Sequence, residues 1–193
     1  ESNGRGVTDG GVLELPTRGG DVRLAVLPFV SQRGVVRAAE LMELDAADLG
    51  GHYAQRYQRL VDTLTAGFEP DACNVLVSHA FVRGGRLGGG ERDAHTIHDY
   101  SVAATAFPTS ANYVALGHLH RVQQIAGPCP IWYPGSPIAV DFGEEADTKG
   151  VLIIDGAAGR PAQVRRAELA SPVPLRTVRG DLAGIEAAVA AAK

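Results

Sequence analysis

The 193-residue chain carries 18 Lys and Arg against 22 Asp and Glu, a net charge of −4, with 45% apolar residues. That balance argues against nucleic-acid binding on charge alone, because non-specific affinity comes from Lys and Arg neutralising phosphates. A chain of this size buries roughly 70% of its unfolded surface, enough for one domain or a domain and a fraction, and no segment approaches the roughly 20 apolar residues of a membrane span.

Val12 to Leu15 and Val22 to Leu27 flank Thr17-Arg18-Gly19-Gly20 and predict a hairpin around a Gly-rich turn. Helical potential follows from Val35 to Leu44. Tyr53, Tyr57, Leu60, Val61 and Leu64 recur at helical spacing, so a helix is expected over Asp48 to Gly67. Its tyrosine stripe should face the core, with His52 on the polar side. Asn74 to Ser78 is a short buried-strand pattern, bordered by Cys73. With Cys129 set between prolines, the two cysteines make no disulfide framework, and reduced thiols are expected. Arg83 to Glu91 is Gly-rich and predicts a mobile surface connection. Further strands are expected at Tyr113 to Leu116, Val122 to Ile125, Ile131 to Tyr133 and Val151 to Ile154, the later ones antiparallel. Leu175 to Val178 is strand-like, and Asp181 can cap a final helix from Leu182 to Ala192. Alternating strands and helices giving way to hairpins indicate an α/β architecture.

The chemistry concentrates in Gly117-His118-Leu119-His120, which closes the apolar run Tyr113-Val114-Ala115-Leu116. Two imidazoles one residue apart at a strand end are hard to explain as packing. Neutral imidazole ligates zinc, manganese and iron, and such a pair can serve two adjacent ions. Val75-Leu76-Val77-Ser78-His79 repeats the pattern of a buried strand ending in histidine. Sites in open α/β sheets form beyond the carboxyl ends of strands, so His79, His118 and His120 are the candidate metal ligands. Other residues are weaker candidates. His95 and His98 stand three apart but in a Gly-rich context that favours a loop, and Asp93-Ala94-His95 follows no apolar strand. Ser136 has no positioned base and reads as part of a turn.

From Cys73 to Gly143 the chain resembles the second half of a calcineurin-like metallophosphoesterase, and more narrowly the SbcD-type nuclease subunits of bacterial SbcCD complexes. The resemblance is carried by Val77-Ser78-His79-Ala80-Phe81-Val82, by Tyr113 through Arg121, and by Tyr133-Pro134-Gly135-Ser136-Pro137. Leu175-Arg176-Thr177-Val178-Arg179-Gly180-Asp181-Leu182 looks like the start of that family's C-terminal capping domain. The resemblance therefore implies an α/β fold, the second half of a metallophosphoesterase β-sandwich flanked by helices. It divides the chain into a nuclease-domain part, residues 1–172, and the start of a cap, residues 173–193.

The family's upstream motifs, Asp-x-His, Gly-Asp-x-x-Asp and Gly-Asn-His-Asp, have no usable counterpart here. Gly20-Asp21 and Gly180-Asp181 are followed three residues later by Leu24 and Gly184, and none of Asn3, Asn74 and Asn112 precedes a histidine. The expectation is a C-terminal part of a longer protein, inactive by itself. For the whole protein the resemblance implies two divalent ions, manganese by preference. His79 and His118 would sit on the second ion and His120 on the first. It also implies DNA ends and hairpins as substrates, an SbcC-type coiled-coil ATPase as partner, a homodimer, and a cytoplasmic location. Two competing readings are a phosphoesterase for nucleotides or small phosphate esters, and a non-catalytic scaffold protein that has lost its metals.

Overall fold

The computed structural model describes residues 11–30, 46–89, 91, 100–170, 174–181 and 183–191, the side chains of residues 46–52 excepted. The helical expectation at Val35 to Leu44, the histidines His95 and His98, and the side chain of His52 lie outside this set.

The predicted hairpin is present as β1 (Gly11–Thr17) and β2 (Gly20–Leu27), paired antiparallel. Helix α1 (Ala46–Thr65) follows, and its tyrosine stripe is core as expected, with Tyr53, Tyr57 and Val61 at most 1% exposed. Their spacing of four residues stacks them on one helical face. The Tyr57 hydroxyl and Ser78 Oγ lie 2.8 Å apart, and Ser78 Oγ donates to the Leu27 carbonyl at 2.9 Å, so the helix is tied to two strands at once. Burial pushes the Tyr53 hydroxyl up to about 12.

Strand β3 (Cys73–His79) pairs in parallel with β2, and β6 (Tyr113–Gly117) pairs in parallel with β3. Between them lie two short strands, β4 (Phe81–Val82) and β5 (Ser101–Val102), which form a two-stranded parallel ladder. The main sheet is completed by β7 (Gln123–Ile125) and β8 (Ile131–Tyr133), giving the order β1-β2-β3-β6-β8-β7. The antiparallel expectation holds for β7 with β8 but fails for β8 against β6, which run parallel. A run of three apolar residues carries no direction, and the chain reverses through β7 before β8 enters beside β6.

β9 (Gly150–Ala157) and β10 (Arg160–Glu168) form a separate antiparallel hairpin, and β10 was not expected from its charged sequence. It is anchored through Asn112, whose carbonyl accepts from Ala162 N–H at 2.9 Å and whose side-chain amide donates to the Arg160 carbonyl at 2.7 Å. Leu175 to Val178 forms no strand: residues 174–181 are irregular, and Thr177 N–H donates to Glu145 Oε1 at 3.0 Å. Helix α2 (Ile185–Ala191) begins later than the expected Leu182, and Asp181 Oδ1 accepts from Gly184 N–H at 2.7 Å in the turn that leads into it rather than capping it from the preceding position.

The core lies between α1 and the parallel strands, around Leu76, Val114, Leu116, Ile131 and Tyr133. Tyr133 also fixes the backbone just beyond His79. Its hydroxyl donates to the Ala80 carbonyl at 2.6 Å and accepts from Val82 N–H at 2.9 Å. Tyr133→Phe withdraws this partner from two buried backbone groups and is expected to cost about 2–3 kcal/mol. Urea unfolding checks this as a lower midpoint with an unchanged slope.

Candidate metal centre

His79 ends β3 and lies in register with Gly117, the last residue of β6. Both strands are parallel, so their carboxyl ends open on one side of the sheet, where such folds place their sites. The chain then turns sharply. His118 takes φ +115°, the only non-glycine with positive φ among the described residues. A non-glycine held in such a conformation costs about 1–3 kcal/mol and persists only where the surroundings impose it. The turn brings His118 Nδ1 to 3.3 Å from His79 Nε2, with ring centroids 5.2 Å apart and planes nearly perpendicular. Phe29 packs edge-on to the His79 ring at 6.0 Å, and Phe81 lies 6.2 Å from the His118 ring.

This nitrogen pair fits a divalent cation. Two imidazole nitrogens about 2.1 Å from one ion, at tetrahedral to octahedral angles, lie roughly 3.0–3.4 Å apart. Gly117 makes the approach possible, since a Cβ there would come within 2.8 Å of His79 Nδ1. Gly117→Ala is therefore expected to displace the His79 ring and to weaken Mn2+ binding by the whole protein about tenfold or more. Calorimetric titration with Mn2+ measures it.

His120 has different company. Its Nδ1 lies 2.8 Å from Oε1 of Glu144, a fully buried carboxylate. A single turn of 3-10 helix, Phe142–Glu144, begins on Asp141, whose side chain accepts from Gly143 N–H at 2.7 Å. That turn puts Glu144 inside. Its Oε2 accepts from Lys149 Nζ at 2.6 Å, Ser136 Oγ at 3.0 Å and Val140 N–H at 3.3 Å. Burial pushes the Glu144 carboxyl up. Donors from Lys149, His120, Val140 and Ser136 more than reverse this, so it stays ionised below the ordinary carboxylate range.

The backbone of His120 is held from both sides. Its N–H donates to Glu91 Oε1 at 2.9 Å, and its carbonyl accepts from Ser136 N–H at 3.1 Å. Gly135 allows the second approach, with φ +78° and a would-be Cβ 2.7 Å from the His120 carbonyl oxygen. Glu91 also accepts from the N–H groups of Gly88 and Gly89, both at 2.8 Å. Burial raises the Glu91 carboxyl, and these backbone donors outweigh it, leaving it below its usual value. Gln123 adds a reciprocal pair to the backbone of Arg86, 2.7 Å in each direction. The expected mobile connection is thus tied down along Arg86 to Gly89.

Of the three candidate histidines, His79 and His118 meet each other, while His120 is engaged separately by Glu144. Among the described residues no group of three or more His, Cys, Asp or Glu gathers as a metal site. Ser136 is bonded into the Glu144–Lys149 network, with Lys149 Nζ at 3.0 Å, which supports its reading as a structural rather than nucleophilic residue. Both cysteines are free and buried, and burial pushes the Cys129 thiol up to about 11. Glu144, Lys149 and Glu91 were missed from sequence. A Gly-rich context and a charge-mixed run gave no sign that these side chains turn inward.

A mixed α/β sheet with imidazoles beyond the carboxyl ends of adjacent parallel strands fits a metallophosphoesterase-like fold. The similarity to known proteins is narrower. The chain is 34% identical over 166 residues to the SbcD component of the SbcCD nuclease of Bacillus subtilis (strain 168), covering 84% of the chain and 42% of that protein. It is 28% identical over 187 residues to the SbcD component of Escherichia coli (strain K12), covering 90% of the chain and 44% of the relative. The Rhodobacter capsulatus SbcD protein matches at 34% over 102 residues, 52% of the chain and 24% of the relative. No family model matches the chain. The chain spans less than half the length of the curated relatives it matches, and over that stretch it is similar to the SbcD components of SbcCD nucleases.

Proposed function

We propose that the protein carrying this chain is a divalent-metal-dependent DNA nuclease subunit. His79 and His118 hold one cation and His120 a neighbouring one, with manganese as the metal. The observation that carries this reading is the 3.3 Å separation of His79 Nε2 and His118 Nδ1 beyond two parallel strands. The similarity to SbcD components of SbcCD nucleases supports the nuclease class and an SbcC-type partner. A homodimer acting on duplex ends and hairpins in the cytoplasm completes the proposal. Among the described residues, no helix is long and apolar enough to cross a membrane.

When bound, divalent ions at such a site neutralise phosphate charge and lower the pKa of a coordinated water. The chain's own residues bind and orient. The positive-φ turn at His118 aims its Nδ1 at the His79 nitrogen, and Gly117 leaves room for the His79 ring. Because the described residues gather imidazoles without a cluster of carboxylates, this chain by itself is proposed to be inactive. The test is digestion by the whole protein, with Mn2+, of a linear DNA duplex against a chromogenic phosphodiester. Duplex cleavage is expected. Cleavage of the small ester alone would favour a small-substrate phosphoesterase, and cleavage of neither under any divalent metal would favour a scaffold.

A further inference from the structure

Glu144 combines complete burial with a full set of hydrogen-bond partners, and the metal reading makes no use of it. Its two oxygens have distinct duties. Oε2 faces Lys149 Nζ, Ser136 Oγ and Val140 N–H. An ammonium and a backbone N–H can only donate, so that oxygen is committed as an acceptor. Lys149 is itself buried, its side chain 4% exposed, so the pair is shielded from solvent competition. The remaining oxygen, Oε1, faces His120 Nδ1 at 2.8 Å. An ionised carboxylate has no proton to give, so the proton in that bond is carried by Nδ1. The His120 peptide is pinned on both sides by Glu91 and Ser136, which leaves Glu144 as the partner that orients the ring.

We propose that Glu144, anchored by Lys149, is a positioning residue that fixes His120 as its Nδ1–H tautomer and so presents Nε2 as the lone-pair donor to a divalent cation. This rests on the reading of His120 as a metal ligand. Carboxylates that accept from the distal ring nitrogen of a ligating histidine orient the ring and raise its basicity. A plain buried ion pair would need no histidine on its second oxygen.

The substitution Glu144→Gln separates the two roles. Three donors face the Oε2 position, so the glutamine carbonyl is drawn there and its NH2 group turns to His120. Nδ1 must then accept, and the neutral ring carries its proton on Nε2. Nitrogen-15 histidine spectra of the metal-free whole protein read this directly. Wild type is expected to show the Nδ1–H pattern, Glu144→Gln the inverted one, and Mn2+ affinity in that variant should fall about 10–100-fold. Ser136→Ala removes one donor and leaves the Oε1 contact in place. It is expected to keep the wild-type tautomer and an affinity within about threefold, since Lys149 and Val140 still occupy Oε2. A wild-type His120 protonated on Nε2 overturns the proposal without any variant. So does a folded Glu144→Gln protein that retains the Nδ1–H tautomer and wild-type affinity. Unchanged Mn2+ affinity in His120→Ala would instead overturn the ligand reading itself, a result distinguishable from failure of the tautomer prediction.

Discussion

Replacing His118 or His120 by alanine is expected to lower Mn2+-dependent cleavage of duplex DNA by the whole protein about a thousandfold or more. Loss of a metal ligand removes several kcal/mol of charge stabilisation from the reaction, and each ~1.4 kcal/mol is tenfold in rate. His118→Ala should change stability little, whereas His120→Ala leaves the buried Glu144 Oε1 without its partner and is expected to cost about 1–3 kcal/mol without unfolding the protein. Both residues follow the last position of β6, and neither belongs to the buried apolar cluster. His118 adds a sharper discriminator, because its φ of +115° is strained for any side chain. His118→Gly relieves that strain while adding backbone entropy to the unfolded chain, two opposed terms of about 1 kcal/mol each. A variant of near-native stability and no activity is the expected outcome. Steady-state digestion of a labelled duplex, with thermal unfolding of the same samples, checks both halves. Wild-type turnover of His120→Ala at limiting Mn2+ would rule out the assignment.

The second large effect concerns Lys149. Lys149→Met leaves the Glu144 carboxylate fully buried with neutral donors and no cation, and the expected loss at neutral pH is about 3–5 kcal/mol. The pH dependence has a definite sign. In the native protein the Glu144 carboxyl lies below its ordinary value of 4.5. Its contribution is therefore fully present above pH 4.5 and is lost as pH falls through the lower folded value. Without Lys149 burial is opposed only by the donors from His120, Val140 and Ser136, and the folded carboxyl is expected to move up. The penalty of burying a charge is then relieved on acidification, because the folded variant takes up the proton at a higher pH than the native protein does. Urea unfolding of both proteins from pH 8 to pH 3 should give stabilities that differ most at the alkaline end and converge below about pH 5. A constant gap across that range would show that Glu144 and Lys149 do not act as a charged pair.

Much of the fold was legible because its elements are local and periodic. The β1–β2 hairpin follows from alternation around Gly19-Gly20, and α1 from apolar residues on one helical face. Strands β3 and β6 show as short apolar runs that each end at or just before a histidine. The pairing of His79 with His118 was foreseeable too, since two parallel strands of similar length deliver their last residues to the same edge of the sheet. Composition argues against nucleic-acid binding on charge alone, and Gly-His-Leu-His supplies two of the imidazoles proposed as metal ligands.

What escaped the sequence depends on contacts distant along the chain. β8 lies parallel to β6 because the sheet had an open edge there, and its three residues carry no directional information. β10 is recruited by the backbone of β9 and by Asn112, so its charged sequence gave no burial pattern to read. The largest omission was the set around His120. Glu144 is 24 residues from His120 and Glu91 is 29 residues away, and no period or motif connects them. Charged residues in a loop are ordinarily solvated; only burial beside Lys149, Ser136 and the His120 ring makes Glu144 an oriented acceptor. The sequence by itself determined which imidazoles are present and on which strands they ride. The tertiary structure alone decided which nitrogen of each ring is aimed where, because that depends on hydrogen-bond partners assembled by folding.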